Sequence, residues 1–117
     1  MKRDLVCLAT IFGIVCLLGQ QQANAGATGD AKRGEQAFKK ATCASCHPGG
    51  GNIVNPKDPL KGPKFAAEFK DDAKIEKVVR DGIKGTPMPA FSKARLSDED
   101  LKDIVAYIRS LTPKSGK

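Results

Sequence analysis

Leu101, Ile104, Val105, Ile108 and Leu111 fall at the spacing of one helical face, the clearest apolar stripe in the chain. Ser97 with Asp100 resembles a capping box in which Asp stands for the stronger Glu. Pro113 stops the helix, and Tyr107 lies beside its stripe. Ile75, Val78, Val79 and Gly82/Ile83 make a second stripe, capped by Asp71 or Asp72 and running to about Ile83. It reads as ordinary core. A further helix is predicted from Ala31 to about Ala41, with Asp30 as its N-cap. Gly34 and Phe38 share a face of it. A glycine inside a helix costs about 1 kcal/mol against alanine, so Gly34 points to a close crossing by another backbone. Residues 48–70 hold Pro48, Gly49, Gly50, Gly51, Pro56, Pro59 and Gly62-Pro63. That density of breakers predicts an irregular loop, and a loop this long in a compact domain calls for a function. No strand-like alternation and no internal repeat occur, so the fold class is all-α.

The first residues follow a different pattern. Lys2 and Arg3 precede an apolar run from Leu5 to Leu18, interrupted by Thr10 and Gly13, and Ala23-Asn24-Ala25 follows as a small-residue cleavage site. Residues 1–25 therefore read as a cleaved secretory signal peptide. The run is shorter than the roughly 18 residues a spanning helix wants. Val15 stands where a lipoprotein leader carries a small residue, which argues against a lipid anchor at Cys16. Residues 26–117 are expected to form a single domain in the periplasm, or in another compartment reached by secretion. A mature protein starting at Gly26 in the mass spectrum checks this; a diacylated Cys16 would contradict it.

Cleavage removes Cys7 and Cys16 and leaves Cys43 and Cys46, so no disulfide framework remains. Cys43-Ala44-Ser45-Cys46-His47 has the C-x-x-C-H form of a c-type haem attachment site. Two thiols three positions apart can share one side of a helical turn and each add to one haem vinyl group. The adjacent imidazole can then ligate the iron. A thioredoxin-type dithiol would need a βαβ pattern, which is missing. A zinc site needs about four ligands, and beyond the leader only Cys43, Cys46 and His47 offer sulfur or imidazole of the usual kind. A simple disulfide leaves His47 unexplained.

Gly85-Thr86-Pro87-Met88-Pro89-Ala90-Phe91 is a second anchor. Prolines on both sides of Met88 restrict the backbone there, as suits a ligand held in place. Alone, Met88 would read as a gap-filling core residue. After a C-x-x-C-H motif it reads as the second axial ligand, because His/Met is a known pair in cytochromes c. His47 is the only histidine, so bis-His ligation within one chain is excluded, and so is a peroxidase with a distal His.

The chain has 117 residues and a formal net charge of +7. It contains five Phe, one Tyr and no Trp, a thin aromatic supply that fits a core completed by a cofactor. The positive charge fits either a lysine-rich surface or attraction to an acidic partner.

Taken together, residues 30–112 resemble a class I monohaem cytochrome c. The resemblance rests on Gly34 and Phe38 ahead of Cys43–His47, on Gly62-Pro63-Lys64-Phe65, on Met88-Pro89-Ala90-Phe91 and on Ala106-Tyr107-Ile108. The Gly49–Val54 loop and the Met-Pro-Ala-Phe stretch resemble the small c-six type. Pro48 departs from the Ala or Gly of many members. The resemblance implies N- and C-terminal helices crossing, with Gly34 and Phe38 against Ile104 and Tyr107, and a chain wrapped around one covalent haem c and its iron. It implies that the Pro63 carbonyl accepts from His47 Nδ1–H and that Asn52 lies near a propionate.

The function expected is that of a soluble one-electron carrier, not an enzyme. Cys43 and Cys46 anchor the haem, and His47 and Met88 bind its iron. Redox-partner proteins with acidic docking surfaces, in some cases membrane-associated, are the expected partners, with Lys57, Lys61, Lys64, Lys84 and Lys93 as guiding cations. A monomer is expected, with no nucleic-acid partner and no small-molecule substrate. The alternatives are a haem-based sensor or gas-binding protein whose Met88 dissociates, and a cytochrome subunit of a larger oxidoreductase.

Overall fold

A computed structural model describes residues 29–113. The expected signal peptide and the Lys114–Lys117 tail lie outside the described residues. Four α-helices and no strands occur among those described: α1 (Ala31–Lys40), α2 (Pro63–Glu68), α3 (Asp72–Asp81) and α4 (Asp98–Ser110). Single 3-10 turns at Cys43–Ser45 and Pro48–Gly50 follow α1. The all-α expectation is met.

Two of the three long helices, α1 and α4, start at a side-chain cap. The Asp30 carboxylate accepts from the Arg33 amide at 2.7 Å, and Ser97 Oγ accepts from the Asp100 amide at 3.0 Å, satisfying amides that lack a partner in the first turn. Asp71 occupies the N-cap position of α3 without a side-chain bond. Asp72 instead pairs with Arg109 Nε of α4 at 2.8 Å. The α3 helix stops at Gly82, which has φ 67°, two residues before the expected end.

Residues 48–70 are less irregular than their composition suggests. Pro63 is the first residue of α2, where its missing N–H costs nothing and its fixed φ is already helical. The Gly62-Pro63 pair is thus a helix start rather than a breaker. Short as it is, α2 buries Phe65, which stacks on Phe69 with centroids 4.8 Å apart.

The crossing of α1 and α4 organises the molecule. A Cβ at Gly34 would stand 1.8 Å from the Asp103 carbonyl oxygen and 2.9 Å from Tyr107 Cβ, so only glycine permits this approach. The nearest α4 atoms belong to Asp103 and Tyr107 rather than to Ile104, which sits deeper in the core at 1% exposure. One turn on, the Phe38 ring meets Tyr107 edge-on, centroids 5.2 Å apart.

Asp103 clamps the same crossing. Its carboxylate is 3% exposed and accepts from the Asp30 amide at 2.6 Å, from Arg33 Nε at 2.8 Å and from Arg33 Nη2 at 3.2 Å. The Arg33 hydrogen bond holds the carboxyl below the usual carboxylate range despite its burial, with help from the Asp30 amide. A depressed folded pKa stabilises the fold fully above the unfolded value of about 3.9. The contribution is lost as pH falls through the lower folded value. Asp103→Asn should lower the melting temperature at neutral pH and shrink its fall on acidification below about pH 4, as measured by thermal melts across that range.

Phe38, Phe65, Ile75, Val79, Phe91, Leu96, Leu101, Ile104, Val105 and Ile108 form the core. The C-terminal end of α4 also fixes the loop ahead of α2. Thr112 Oγ1 accepts from the Gly62 amide at 2.7 Å, and a Cβ at Gly50 would lie 2.5 Å from Leu111 Cδ1.

Candidate haem site

Thr42 is the only non-glycine residue with positive φ (66°) among those described. This left-handed step ends α1 abruptly and starts the turn that carries both thiols. The amides of Cys46 and His47 donate to the Cys43 carbonyl at 3.2 and 2.8 Å, gathering Cys43, Cys46 and His47 into one turn. Cys43 and Cys46 are half-buried and not joined as a disulfide. Burial pushes the Cys43 thiol above its ordinary pKa.

The His47 ring is oriented by its own loop. Nδ1 lies 2.8 Å from the Gly51 carbonyl. A carbonyl can only accept, so Nδ1 carries the proton and Nε2 keeps the lone pair a metal needs. This corrects the expectation that Pro63 supplies the acceptor. Gly49 and Gly50, with φ 56° and 79°, let the chain curl back directly after His47. The Gly51 amide then donates to the Pro48 carbonyl at 2.9 Å, which brings the Gly51 carbonyl to the ring. Pro63, as the first residue of α2, commits its carbonyl to that helix's ladder. The Pro48 departure is therefore part of the ring's support.

Met88 arrives from the segment between α3 and α4. A Cβ at Gly82 would come 2.7 Å from the Ala90 nitrogen and 2.9 Å from the Met88 carbonyl oxygen, so glycine lets the segment fold back on the end of α3. The Ile83 amide donates to the Met88 carbonyl at 3.2 Å, and the Phe91 amide to the Val79 carbonyl at 3.0 Å.

A cavity of about 780 Å³ joins the two anchors, with Cys43, Cys46, His47 and Met88 all in its wall. That volume is within the usual range for an organic ligand, roughly 300–1,000 Å³. Leu60, Phe65, Val78 and Ile83 supply apolar wall. Val54 and Ile83 line it too while remaining 56% and 45% exposed, as expected of side chains that a large apolar group would cover. Two thiols, an imidazole lone pair and a thioether around an apolar cavity fit a haem. No group of three or more His, Cys, Asp and Glu placed to hold a bare ion occurs among the described residues. The second stripe thus does more than form core. Ile75, Val78, Val79 and Ile83 all line the cavity, Ile75 and Val79 as buried core residues that form its floor and Ile83 still 45% exposed.

Polar residues at the rim have specific duties. Asn52 Oδ1 accepts from the amides of Val54 and Asn55 at 3.1 and 3.0 Å, and its Nδ2 donates to the Asp58 carbonyl at 3.1 Å. It holds the loop in shape from the cavity wall. Lys57, Lys61 and Lys64 line the cavity. Lys61 Nζ donates to the Gly49 carbonyl at 3.0 Å, and Lys64 pairs with Asp58. Lys93 is paired with Asp98 at 2.9 Å.

Residues 29–108 match a family model described as cytochrome C oxidase, cbb3-type, subunit III. The chain belongs to the class I monohaem c-type cytochromes. Within that class it is similar to cytochrome c6. It is 39% identical to the protein of Cyanidium caldarium over 84 residues, 71% of this chain and 72% of that one. With the Porphyra purpurea protein it shares 36% over 115 residues, 97% and 98% of the two chains. The solved structure of cytochrome c6 from the diatom Phaeodactylum tricornutum superposes with a TM-score of 0.58 at 35% identity, covering 70% of this chain and 93% of that one. Outer membrane cytochrome F from Geobacter sulfurreducens gives 0.59 at 31% identity, covering 68% and 99%. The protein therefore binds one covalent haem c with its iron and carries electrons between redox partners.

Proposed function

We propose that this cytochrome is a soluble, monomeric shuttle of the periplasm, with Cys43 and Cys46 bonded to the haem vinyl groups and His47 and Met88 as axial ligands. The observation that carries this reading is the meeting of both thiols, the Nε2 lone pair and the thioether in the wall of one cavity. The leader pattern of residues 1–25 supports export. Among the described residues no helix is long and apolar enough to cross a membrane.

Haem c supplies a one-electron iron couple. The chain's residues fix its surroundings. The Gly51 carbonyl sets the His47 tautomer and raises its basicity. His47 and Met88 would both be given to the iron, which would leave it no position for a substrate, and a thioether ligand would favour the reduced state. Leu60, Phe65, Val78 and Ile83 would shield a bound haem from water on the apolar part of the wall.

Lys57 and Lys61 at the rim fit partners with acidic docking faces. Reduction by such a partner should slow several-fold between about 0.01 and 0.15 M ionic strength, as read by stopped flow. A salt-independent rate would reject the steering. The family model's description as an oxidase subunit favours a second reading, a module bound within a larger oxidoreductase. Size-exclusion chromatography of the native extract separates the two: elution as a small monomer supports the shuttle, and stable co-purification supports the module.

A further inference from the structure

Sixteen residues without regular structure separate α3 from α4 and carry Met88. One side chain reaches from α3 to two separate points of this segment. Arg80 Nη1 donates to the carbonyls of Phe91 and Leu96 at 3.0 and 2.7 Å, and Nη2 donates to Asp98 Oδ1 at 2.7 Å. The Arg80 side chain is 19% exposed and lies outside the cavity wall, so it does not itself face the haem. Phe91, the nearer of its backbone partners, follows Met88 by three residues and is buried at 5%. Its amide is tied to Val79, and the Arg95 guanidinium covers its ring at 4.4 Å from the centroid. The near limb after Met88 and the far limb before α4 are thus fastened to one α3 residue, whose planar donors suit several acceptors at once.

We infer that Arg80 is the positioning residue for Met88: it latches the segment so that the thioether stays in the cavity. The inference rests on the reading of Met88 as an iron ligand. Losing the latch removes the donor from two carbonyls and allows the segment to swing out. An external ligand binds only the form from which Met88 has withdrawn, so its apparent dissociation constant varies inversely with that form's population.

The test is imidazole titration of the ferric holoprotein, followed in the visible spectrum. Arg80→Gln should bind imidazole about tenfold more tightly than wild type, and Arg80→Lys, which can serve fewer acceptors, should fall between. Arg80→Lys also covers the case in which Arg80→Gln does not mature. Arg109→Gln is the structural control. It breaks another tie, from α4 to Asp72 and the Lys70 carbonyl, away from the Met88 segment. It should lower the melting temperature while leaving imidazole affinity at the wild-type value. Unchanged affinity in both Arg80 variants, or an equal gain in Arg109→Gln, overturns the inference. Met88→Ala separates the two levels. If it leaves imidazole affinity unchanged, the ligand reading falls and the latch with it. If it tightens binding while the Arg80 variants do not, the latch alone falls.

Discussion

Met88→Ala should lower the midpoint potential by roughly 0.1–0.3 V, well inside the ≈ 0.8 V over which axial ligands move haem potentials. The thioether–iron band of the oxidised protein should vanish, and the reduced protein should bind carbon monoxide rapidly. The size of the effect follows from the composition of the site. Met88 is the only methionine besides Met1, and His47 is the only histidine, so no equivalent side chain can take the vacated position. A thioether ligand favours the reduced iron, so its removal would withdraw that preference and open the site to water. The fold should survive, because Met88 is half-buried and packs at the edge of the core rather than in it. Potentiometry and the near-infrared spectrum read the outcome; an unchanged potential with the band retained would remove Met88 from the site.

Gly34→Val should cost about 3 kcal/mol or more, at the upper end of what overpacking a well-filled interface usually costs. A Cβ at this position would sit 1.8 Å from a backbone carbonyl oxygen, and a backbone cannot step aside as the tip of a flexible side chain can. The helices would have to separate, loosening the Phe38–Tyr107 contact and the Asp103 bonds to Asp30 and Arg33. For a domain of this size each kcal/mol shifts the melting temperature by about 4–8 °C, so a fall of at least about 12 °C is expected. Melting of the ferric holoprotein measures it; a shift within a few degrees would mean that the crossing is looser than described.

Much of this architecture is legible in the residues themselves. The Cys43–His47 run names its own chemistry because the spacing serves one reaction, and Asp30 and Ser97 mark helix starts because their oxygens suit orphaned amides. Gly34 announces the crossing because a glycine in a helix needs a reason. The features that escaped depend on where the chain returns in space. Gly62-Pro63 looks like a breaker, since composition alone does not distinguish a proline that ends a helix from one that begins it. The acceptor for His47 is Gly51 rather than Pro63, and a Gly-Gly pair that can curl back after Pro48 is the local signal that could have shown it. Ile75, Val78, Val79 and Ile83 read as one core stripe, yet all four line the cavity; periodicity reports a face without saying what covers it. Lys64 and Lys93 look like free docking charges until Asp58 and Asp98 are seen beside them. Arg80 carries no motif, and its importance arises from two carbonyls that the fold brings to α3.

If His47 and Met88 close the haem iron of this cytochrome on both sides, as proposed, electron exchange is the only chemistry left to it. The visible and near-infrared spectrum of the purified, oxidised wild-type holoprotein tests that closure most directly. A low-spin spectrum with a weak thioether-to-iron band is the predicted result. A high-spin spectrum without that band would contradict it, placing an open or weakly held position where Met88 should be.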